Sequence, residues 1–155
     1  MNSLLKIIKL FPPEASHLVA LYGLKILYKL NLIKIFFPKF KNQEIEFLGL
    51  NLANRLGTAA GLDKNGDFID SVGSLGFGFL EVGTVTPKAQ IGNPKPRVFR
   101  VFDEEAIINR LGFNNKGVDY LVRRLQKRKF QGIVGVNIGA NKTSQGQKRI
   151  DDYIE

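Results

Sequence analysis

The sequence predicts an α/β fold in which buried parallel strands alternate with helices. Three apolar, β-rich runs occupy residues 57–62, 77–86 and 132–140. Two amphipathic stretches, residues 66–76 and 115–130, separate them. The resulting order β-α-β-α-β is typical of the α/β class, and 155 residues suffice for one domain with a hydrophobic core.

Residues 1–41 are predicted to form a helical unit that is distinct from the α/β part, residues 42–155. The stretch 12–30 carries apolar residues at near-helical spacing, at Leu18, Leu21, Tyr22 and Ile26. A second apolar piece, residues 31–40, is interrupted by Pro38. Two interpretations stay open: helices that cap a core, or a lysine-flanked amphipathic pair that lies on a membrane surface.

Two features complete the predicted order of elements. Residues 44–57 alternate in part between apolar and polar and indicate a short β-hairpin. Residues 87–113, rich in Pro, Gly, Arg and Asn, form a connection much longer than usual. Long connections on a compact α/β scaffold are usually functional loops or lids.

Composition narrows the function classes. The chain has no cysteine and one histidine, His17, which disfavours disulfides, zinc sites and histidine-based triads. Its net charge is +9, of which residues 1–41 contribute an excess of six lysines over acids. No long basic block is interleaved with aromatics, so nucleic acid is the weaker interpretation. The N-terminus lacks a signal-peptide pattern, and its longest uncharged run is ten residues.

Polar side chains follow the predicted strands. Ligands of parallel α/β folds gather at the carboxyl ends of the strands, and the long connection leaves from the same edge. The residues expected there are Asp63, Lys64, Thr84, Thr86, Asn137, Asn141, Lys142, Asn109, Arg110, Asn114 and Asn115. They could bind a heteroaromatic ligand and a small carboxylate, or they could merely cap helices and turns.

Two stretches are similar to phosphate-binding loops but do not match the motif. Gly61 and Gly66 have the Walker A spacing, but Asp67 stands where lysine is needed. In residues 135–143, Gly139 and Lys142 are not adjacent. No G-x-G-x-x-G follows a predicted strand, so a Rossmann dinucleotide site has no support.

Four ordered segments resemble one enzyme family. "AAGLDKNG" (59–66), "GFGFLEVGTVTPKAQIGNPKPRVFR" (76–100), "INRLGFNNKG" (108–117) and "GVNIGANKT" (135–143) are similar to the quinone-dependent, membrane-associated dihydroorotate dehydrogenases. "PEASH" (13–17) adds to the likeness, which runs in register from about Pro13 to the last residue. The resemblance implies a TIM barrel, incomplete in this chain, that is preceded by an N-terminal helical hairpin.

The resemblance implies a cofactor, a substrate and their contacts. The family oxidises (S)-dihydroorotate to orotate, the fourth step of pyrimidine synthesis, with FMN as cofactor. The residues that match FMN contacts are Ala60, Gly61, Leu62, Asp63, Lys64, Thr84 and Asn137. Lys64 also matches a contact to the substrate carboxylate or the flavin. The substrate-binding stretch corresponds to Asn109, Arg110, Leu111, Gly112 and Phe113.

The resemblance also implies partners and a location. FMN passes electrons to a membrane quinone, and His17 and Arg100 fall near the quinone tunnel formed by the N-terminal helices. The implied location is peripheral, on the cytoplasmic face of a bacterial inner membrane. No nucleic-acid partner is expected.

The sequence departs from the family in length. A β/α barrel has eight strands and about 250 residues, whereas three strands are predicted here. The family's catalytic serine lies in a later Ser-Pro-Asn motif, so no catalytic base is expected before Glu155. The expectation is a fragment, a split gene or a decayed gene, inactive alone. The alternatives are a non-enzymatic membrane-surface or partner-binding module and, less favoured, a basic nucleic-acid binder.

Overall fold

A computed structural model describes residues 10–37 and 43–154. Both predicted N-terminal helical segments are present, as α1 (Pro13–Lys29) and α2 (Ile33–Phe36). Helix α1 begins with Pro13 in its first turn, where the missing N–H costs nothing. Pro38 and the predicted boundary between residues 41 and 42 lie outside the described residues.

Nine further elements follow between residues 43 and 154. They are β1 (Ile45–Phe47), β2 (Leu50–Leu52), α3 (Ile69–Gly73), β3 (Phe79–Val85), β4 (Val98–Val101), β5 (Ala106–Asn109), α4 (Val118–Gln126), β6 (Ile133–Ile138) and α5 (Gln147–Asp151). Strands β1 and β2 form the predicted antiparallel hairpin. Strands β3 and β6 lie within the predicted runs and pair in parallel.

The core lies between the β3–β6 pair and the helices on one of its faces. Leu80 and Val82 alternate along β3 and are almost completely buried, as the period of two in a strand requires. The core consists of Leu21, Phe68, Ile69, Val72, Leu80, Val82, Val85 and Leu121. The helices cover this face only in part, because Val136 and Ile138 of β6, which pair with the core residues Val82 and Val85, are 41% and 53% exposed.

The first predicted strand, residues 57–62, is wrong as a regular strand. It follows β3 in parallel, but the only β-bridge there among the described residues joins Gly57 to Phe79. The Glu81 amide donates to the Thr58 hydroxyl, and the Ala60 amide donates to the Glu81 carboxylate. Side chains therefore replace some of the backbone partners of a regular ladder, while the Thr58 and Gly61 amides still donate to the carbonyls of Phe79 and Gly83.

The connection 87–113 contains an antiparallel hairpin that the loop prediction missed. Strand β4 pairs with β5, with Val98 opposite Asn109 and Val101 opposite Ala106. Residues 102–105 form the turn, in which Glu105 has a positive φ of 48°. The hairpin carries residues 109–113 back toward the carboxyl end of β3.

Helix α1 packs through one side only. Of its four predicted apolar positions, Leu21 alone is buried, whereas Leu18, Tyr22 and Ile26 are half exposed. Lys25 donates to the Asp67 carbonyl and ties the helix to the segment before α3. Within residues 10–37 and 43–154, the helices are too short or too polar to cross a bilayer.

These elements form a partial α/β layer. The sheet consists of the parallel pair β3–β6 and the adjoining segment 57–63. Helices α3 and α4 pack against one face of it. The described residues do not close a barrel, since no strand is paired with the second edge of β6. The carboxyl ends of β3 and β6 nevertheless meet at one edge, below the β4–β5 hairpin.

Candidate functional site

Two adjoining cavities open at the carboxyl ends of the strands. The smaller, of about 370 Å³, is lined by Ala60, Gly61, Lys64, Thr84, Asn93, Asn109, Arg110, Leu111, Gly112 and Phe113. The larger, of about 640 Å³, extends under helix α1. Both are bordered by Gly61, Lys64, Asn109 and Leu111, so the two spaces share one wall.

Lys64 is the cation at the shared wall. Its Nζ donates to the Asn114 Oδ1 at 2.9 Å. Partial burial, followed by the positive charge of Arg97, lowers the pKa of Lys64, and Glu14 opposes that shift. Within the part of the chain that the structure describes, no carboxylate hydrogen-bonds to this ammonium group, which is partly removed from water and therefore suits an incoming anion.

The backbone just before Lys64 depends on a glycine, Gly61. Gly61 has a φ of 104°, and a Cβ at this position would point into open space. Its amide donates to the Gly83 carbonyl at 2.8 Å. A side chain at residue 61 would therefore project toward the cavities, and glycine keeps that space for a ligand.

Thr84 and Asn137 meet at the end of the parallel pair. The Thr84 hydroxyl donates to the Asn137 Oδ1 at 2.7 Å. The Asn137 Nδ2 donates to the Glu81 Oε1 at 3.2 Å. Thr84 lines the smaller cavity, and Asn137 supports it from the neighbouring strand.

Residues 109–113 are held against the long connection by Asn93. Its amide donates to the Leu111 carbonyl at 3.0 Å, and its Nδ2 donates to the Arg110 carbonyl at 2.7 Å. The Arg97 Nη1 in turn donates to the Asn93 carbonyl. Gly92 must remain glycine, because its φ is 77° and a Cβ would overlap the Leu111 carbonyl. The stretch is thereby fixed as one wall of the smaller cavity.

His17 and Arg100 lie in the wall of the larger cavity. His17 is an exposed residue of α1, yet partial burial of its ring lowers its pKa, which favours the neutral imidazole. Arg100 donates to the Phe11 carbonyl and the Ser16 hydroxyl. The structure therefore places His17 on helix α1 and Arg100 against the start of that helix.

Three predicted cofactor contacts, Leu62, Asp63 and Asn137, lie outside the lining of the smaller cavity. Leu62 and Asp63 border the larger one. The Asp63 carboxylate accepts from the amides of Asp67 and Phe68 at 2.9 and 2.7 Å. Burial raises the pKa of Asp63, and the bonds from these amides oppose that shift. Asp63 therefore stabilises the turn before α3 by accepting these two hydrogen bonds.

Three other strand-end residues form a buried structural cluster. The Asn115 and Asn141 side-chain amides both donate to the Thr86 hydroxyl, at 2.8 and 3.1 Å. The Thr86 hydroxyl donates to the Lys88 carbonyl. Because these polar atoms satisfy one another, the cluster joins three chain segments rather than binding a ligand.

A sequence model described as Dihydroorotate dehydrogenase matches residues 43–155. The chain belongs to the dihydroorotate dehydrogenase family. The Saccharophagus degradans dihydroorotate dehydrogenase (quinone) is 51% identical over 142 residues, which cover 92% of this chain and 42% of that relative. The Buchnera aphidicola dihydroorotate dehydrogenase (quinone) is 51% identical over 149 residues, with coverage of 96% and 44%.

Solved structures of the dihydroorotate dehydrogenase family share the fold. The crystal structure of DHODH from Eimeria tenella in complex with ferulenol superposes with a TM-score of 0.72 at 37% identity. The match covers 92% of this chain and 39% of that one. The chain therefore spans about two fifths of the length of the relatives that it matches.

Sequence reasoning missed three residues that shape this candidate site. Glu81 is a carboxylate within an apolar strand, which is itself a signal, because an isolated charge there needs partners. Arg97 and Asn93 lie in a segment whose Pro and Gly content indicated only a loop. Nothing in the sequence around these two residues distinguishes them from ordinary surface side chains.

Proposed function

We propose that this chain forms the first part of the flavin and substrate sites of a quinone-linked dihydroorotate dehydrogenase. The enzyme would oxidise (S)-dihydroorotate to orotate in the fourth step of pyrimidine synthesis. One observation supports this most directly: a single cavity is lined by Lys64, Thr84 and all of residues 109–113. Family membership and the parallel pair β3–β6 support assignment of these strands to a TIM barrel, whose remaining strands would come from a further segment.

The residues present fit FMN as the cofactor. The space beside Gly61 admits a flat ring close to the backbone, since no atom lies within 4 Å of a Cβ placed there. Lys64, Thr84 and Asn137 add a cation, a hydroxyl and an amide. Bound FMN would supply the hydride-accepting chemistry, and these residues would hold and orient it.

The same wall suits a small carboxylated substrate. Lys64 would pair with the carboxylate, and Asn109 and Asn114 would bind the amide edges of the ring. A fixed cation with neighbouring amides positions the reacting carbon without reorganisation. The base that removes the proton would be the serine of a Ser-Pro-Asn motif in the segment that follows.

The N-terminal helices are proposed to bring the site to a membrane. Exposed apolar residues form a stripe along α1, consisting of Leu18, Val19, Tyr22, Ile26 and Leu30. Such a helix suits the interface of a bilayer. The larger cavity opens between this helix and Lys64, so a quinone could reach the flavin past His17 and Arg100. The proposed location is peripheral, on the cytoplasmic face of a bacterial inner membrane.

Reconstitution tests this proposal. The chain would be expressed alone and together with the C-terminal part of the Saccharophagus degradans relative. We expect retained FMN and dihydroorotate-dependent quinone reduction only in the combined preparation. Lys64→Met should abolish turnover there, whereas Lys127→Met, at an exposed site after α4, should leave turnover unchanged.

A second outcome would favour a different function. If the combined preparation pellets with anionic vesicles but binds no FMN, the chain is a membrane-surface or partner-binding module and the enzyme proposal is wrong. Turnover by the 155-residue chain alone would refute the claim that a further segment supplies the base.

A further inference from the structure

Both carboxylate oxygens of Glu81 accept hydrogen bonds, on the face of β3 opposite the core residues Leu80 and Val82. Its Oε2 accepts from the Ala60 amide at 3.0 Å, and its Oε1 accepts from the Asn137 Nδ2 at 3.2 Å. An ionised carboxylate has no proton to donate, so it can only accept hydrogen bonds. The Asn137 side chain must therefore turn its NH₂ group toward Glu81 and its oxygen away.

Two glycines make this arrangement possible. In the parallel register Glu81 lies opposite Gly135, and Gly83 lies opposite Asn137. Neither glycine has a side chain, so the diagonal pair Glu81 and Asn137 meets across the space between them. Gly83 is also required by its φ of 109° and by the Asn137 carbonyl, which a Cβ there would overlap.

The orientation of Asn137 fixes the direction of the next hydrogen bond. Its Oδ1, turned away from Glu81, accepts the proton of the Thr84 hydroxyl at 2.7 Å. The Thr84 oxygen then has its lone pairs left for other donors. Thr84 lines the smaller cavity, so this oxygen faces a ligand as an acceptor.

We propose that Glu81 is a positioning residue that sets the direction of the Asn137–Thr84 hydrogen bond, so that Thr84 accepts from a ligand N–H or O–H group. The orientation itself depends only on residues 60, 81, 84 and 137. That the ligand is FMN rests on the proposed function. Reduction adds N–H groups to a flavin, so an acceptor at Thr84 favours the reduced form.

Replacing the carboxylate with an amide reverses the chain of hydrogen bonds. In Glu81→Gln the side-chain oxygen still accepts from the Ala60 amide, and the new NH₂ group points at residue 137. Asn137 must then flip, donate to Thr84, and leave the Thr84 hydroxyl proton pointing into the cavity. The double variant Glu81→Gln/Asn137→Asp exchanges the amide and the carboxylate. The amide at residue 81 then donates to the carboxylate at residue 137, and the Thr84 hydroxyl donates to residue 137 again.

Nuclear magnetic resonance of the full chain tests the orientation without any ligand. Thr84→Val removes the hydroxyl at nearly constant volume. In the wild-type background it should barely shift the Asn137 side-chain NH₂ signals, because those protons face Glu81. In the Glu81→Gln background the same substitution should shift them strongly, because they then face Thr84. Equal shifts in both backgrounds would overturn the proposal.

Anaerobic equilibrium dialysis with oxidised and reduced FMN tests the consequence for a ligand, with the C-terminal part of the relative supplied. Glu81→Gln should move the affinity ratio about tenfold toward oxidised FMN, the effect of about one hydrogen bond. The double variant should return the ratio to within about twofold of wild type. An unchanged ratio in Glu81→Gln would refute the acceptor role. Absence of FMN binding in every variant would instead refute the proposed function, while the resonance result still decides the orientation.

Discussion

The Arg97 guanidinium donates two hydrogen bonds to one oxygen of the Glu14 carboxylate, at 3.0 and 2.8 Å. The same guanidinium also donates to the carbonyls of Ile91 and Asn93. Arg97 is 7% exposed. One buried cation therefore joins helix α1 to the connection that holds residues 109–113.

Removal of the Glu14 charge should destabilise the fold. Glu14→Gln leaves the Arg97 guanidinium largely buried without its anion, so we expect a loss of about 1–3 kcal/mol in the free energy of unfolding. Urea denaturation measures this. The control is Lys95→Met: its Nζ lies 3.9 Å from Glu14 but its side chain is 71% exposed, and we expect a change below about 0.5 kcal/mol. Equal losses in the two variants would contradict the special role of Arg97.

The Glu14–Arg97 pair should also make stability depend on pH. The hydrogen bond from Arg97, followed by the positive charges nearby, lowers the pKa of Glu14 below 4.5 in the folded chain, against the effect of burial. A lowered carboxyl pKa gives stability that is present above the unfolded pKa and lost as pH falls through the folded pKa. The difference in unfolding free energy between wild type and Glu14→Gln should be constant above about pH 6 and shrink below 4.5. A difference that stays constant down to about pH 3 would disprove this.

Gly92 should not tolerate a methyl group. Gly92→Ala forces an L-residue to a φ of 77° and drives the Cβ into the Leu111 carbonyl, so we expect a loss of about 2 kcal/mol or more. The matched control is Gly23→Ala in helix α1, where the new Cβ meets nothing within 4 Å beyond its chain neighbours and the backbone of its own helix. That substitution should stabilise the chain by about 0.5–1 kcal/mol. Thermal unfolding of both variants gives the comparison, and opposite signs are the expected result.

The apolar stripe of α1 should govern vesicle binding. Ile26→Glu places a charge in the stripe and should reduce co-sedimentation with anionic phospholipid vesicles several-fold. Ile150→Glu in α5 is the control, because Ile150 is 55% exposed and Ile26 is 57% exposed. If both substitutions reduce binding equally, net charge rather than the stripe accounts for the association.

The sequence predicted the elements whose signals are local. The runs containing β3 and β6 and the stretches containing α3 and α4 were found, because apolar periodicity directly reflects burial on one face. The run 57–62 failed as a regular strand because the side chains of Thr58 and Glu81 interrupt its backbone hydrogen bonds to β3, of which those from the Thr58 and Gly61 amides remain. No local sequence pattern indicates that side chains take the place of backbone hydrogen-bond partners.

The β4–β5 hairpin was missed for a different reason. Its strands are short, β5 is exposed at all four positions and β4 has no fully buried position, so burial leaves little alternation in the sequence. Most of the candidate site was nevertheless predicted, since strand ends and the likeness to one family both point to Lys64 and Thr84. Glu81 and Arg97 act through other residues, and only the three-dimensional contacts reveal them.

The separation of Glu14 and Arg97 along the chain has a consequence during synthesis. Helix α1 is translated first, yet its anchor follows 83 residues later. At roughly 5–20 residues per second, the nascent helix waits about 4–17 s before Arg97 is made. During that interval Glu14 has no buried guanidinium to accept from, so α1 takes its final position only after the connection that contains Arg97 has been made.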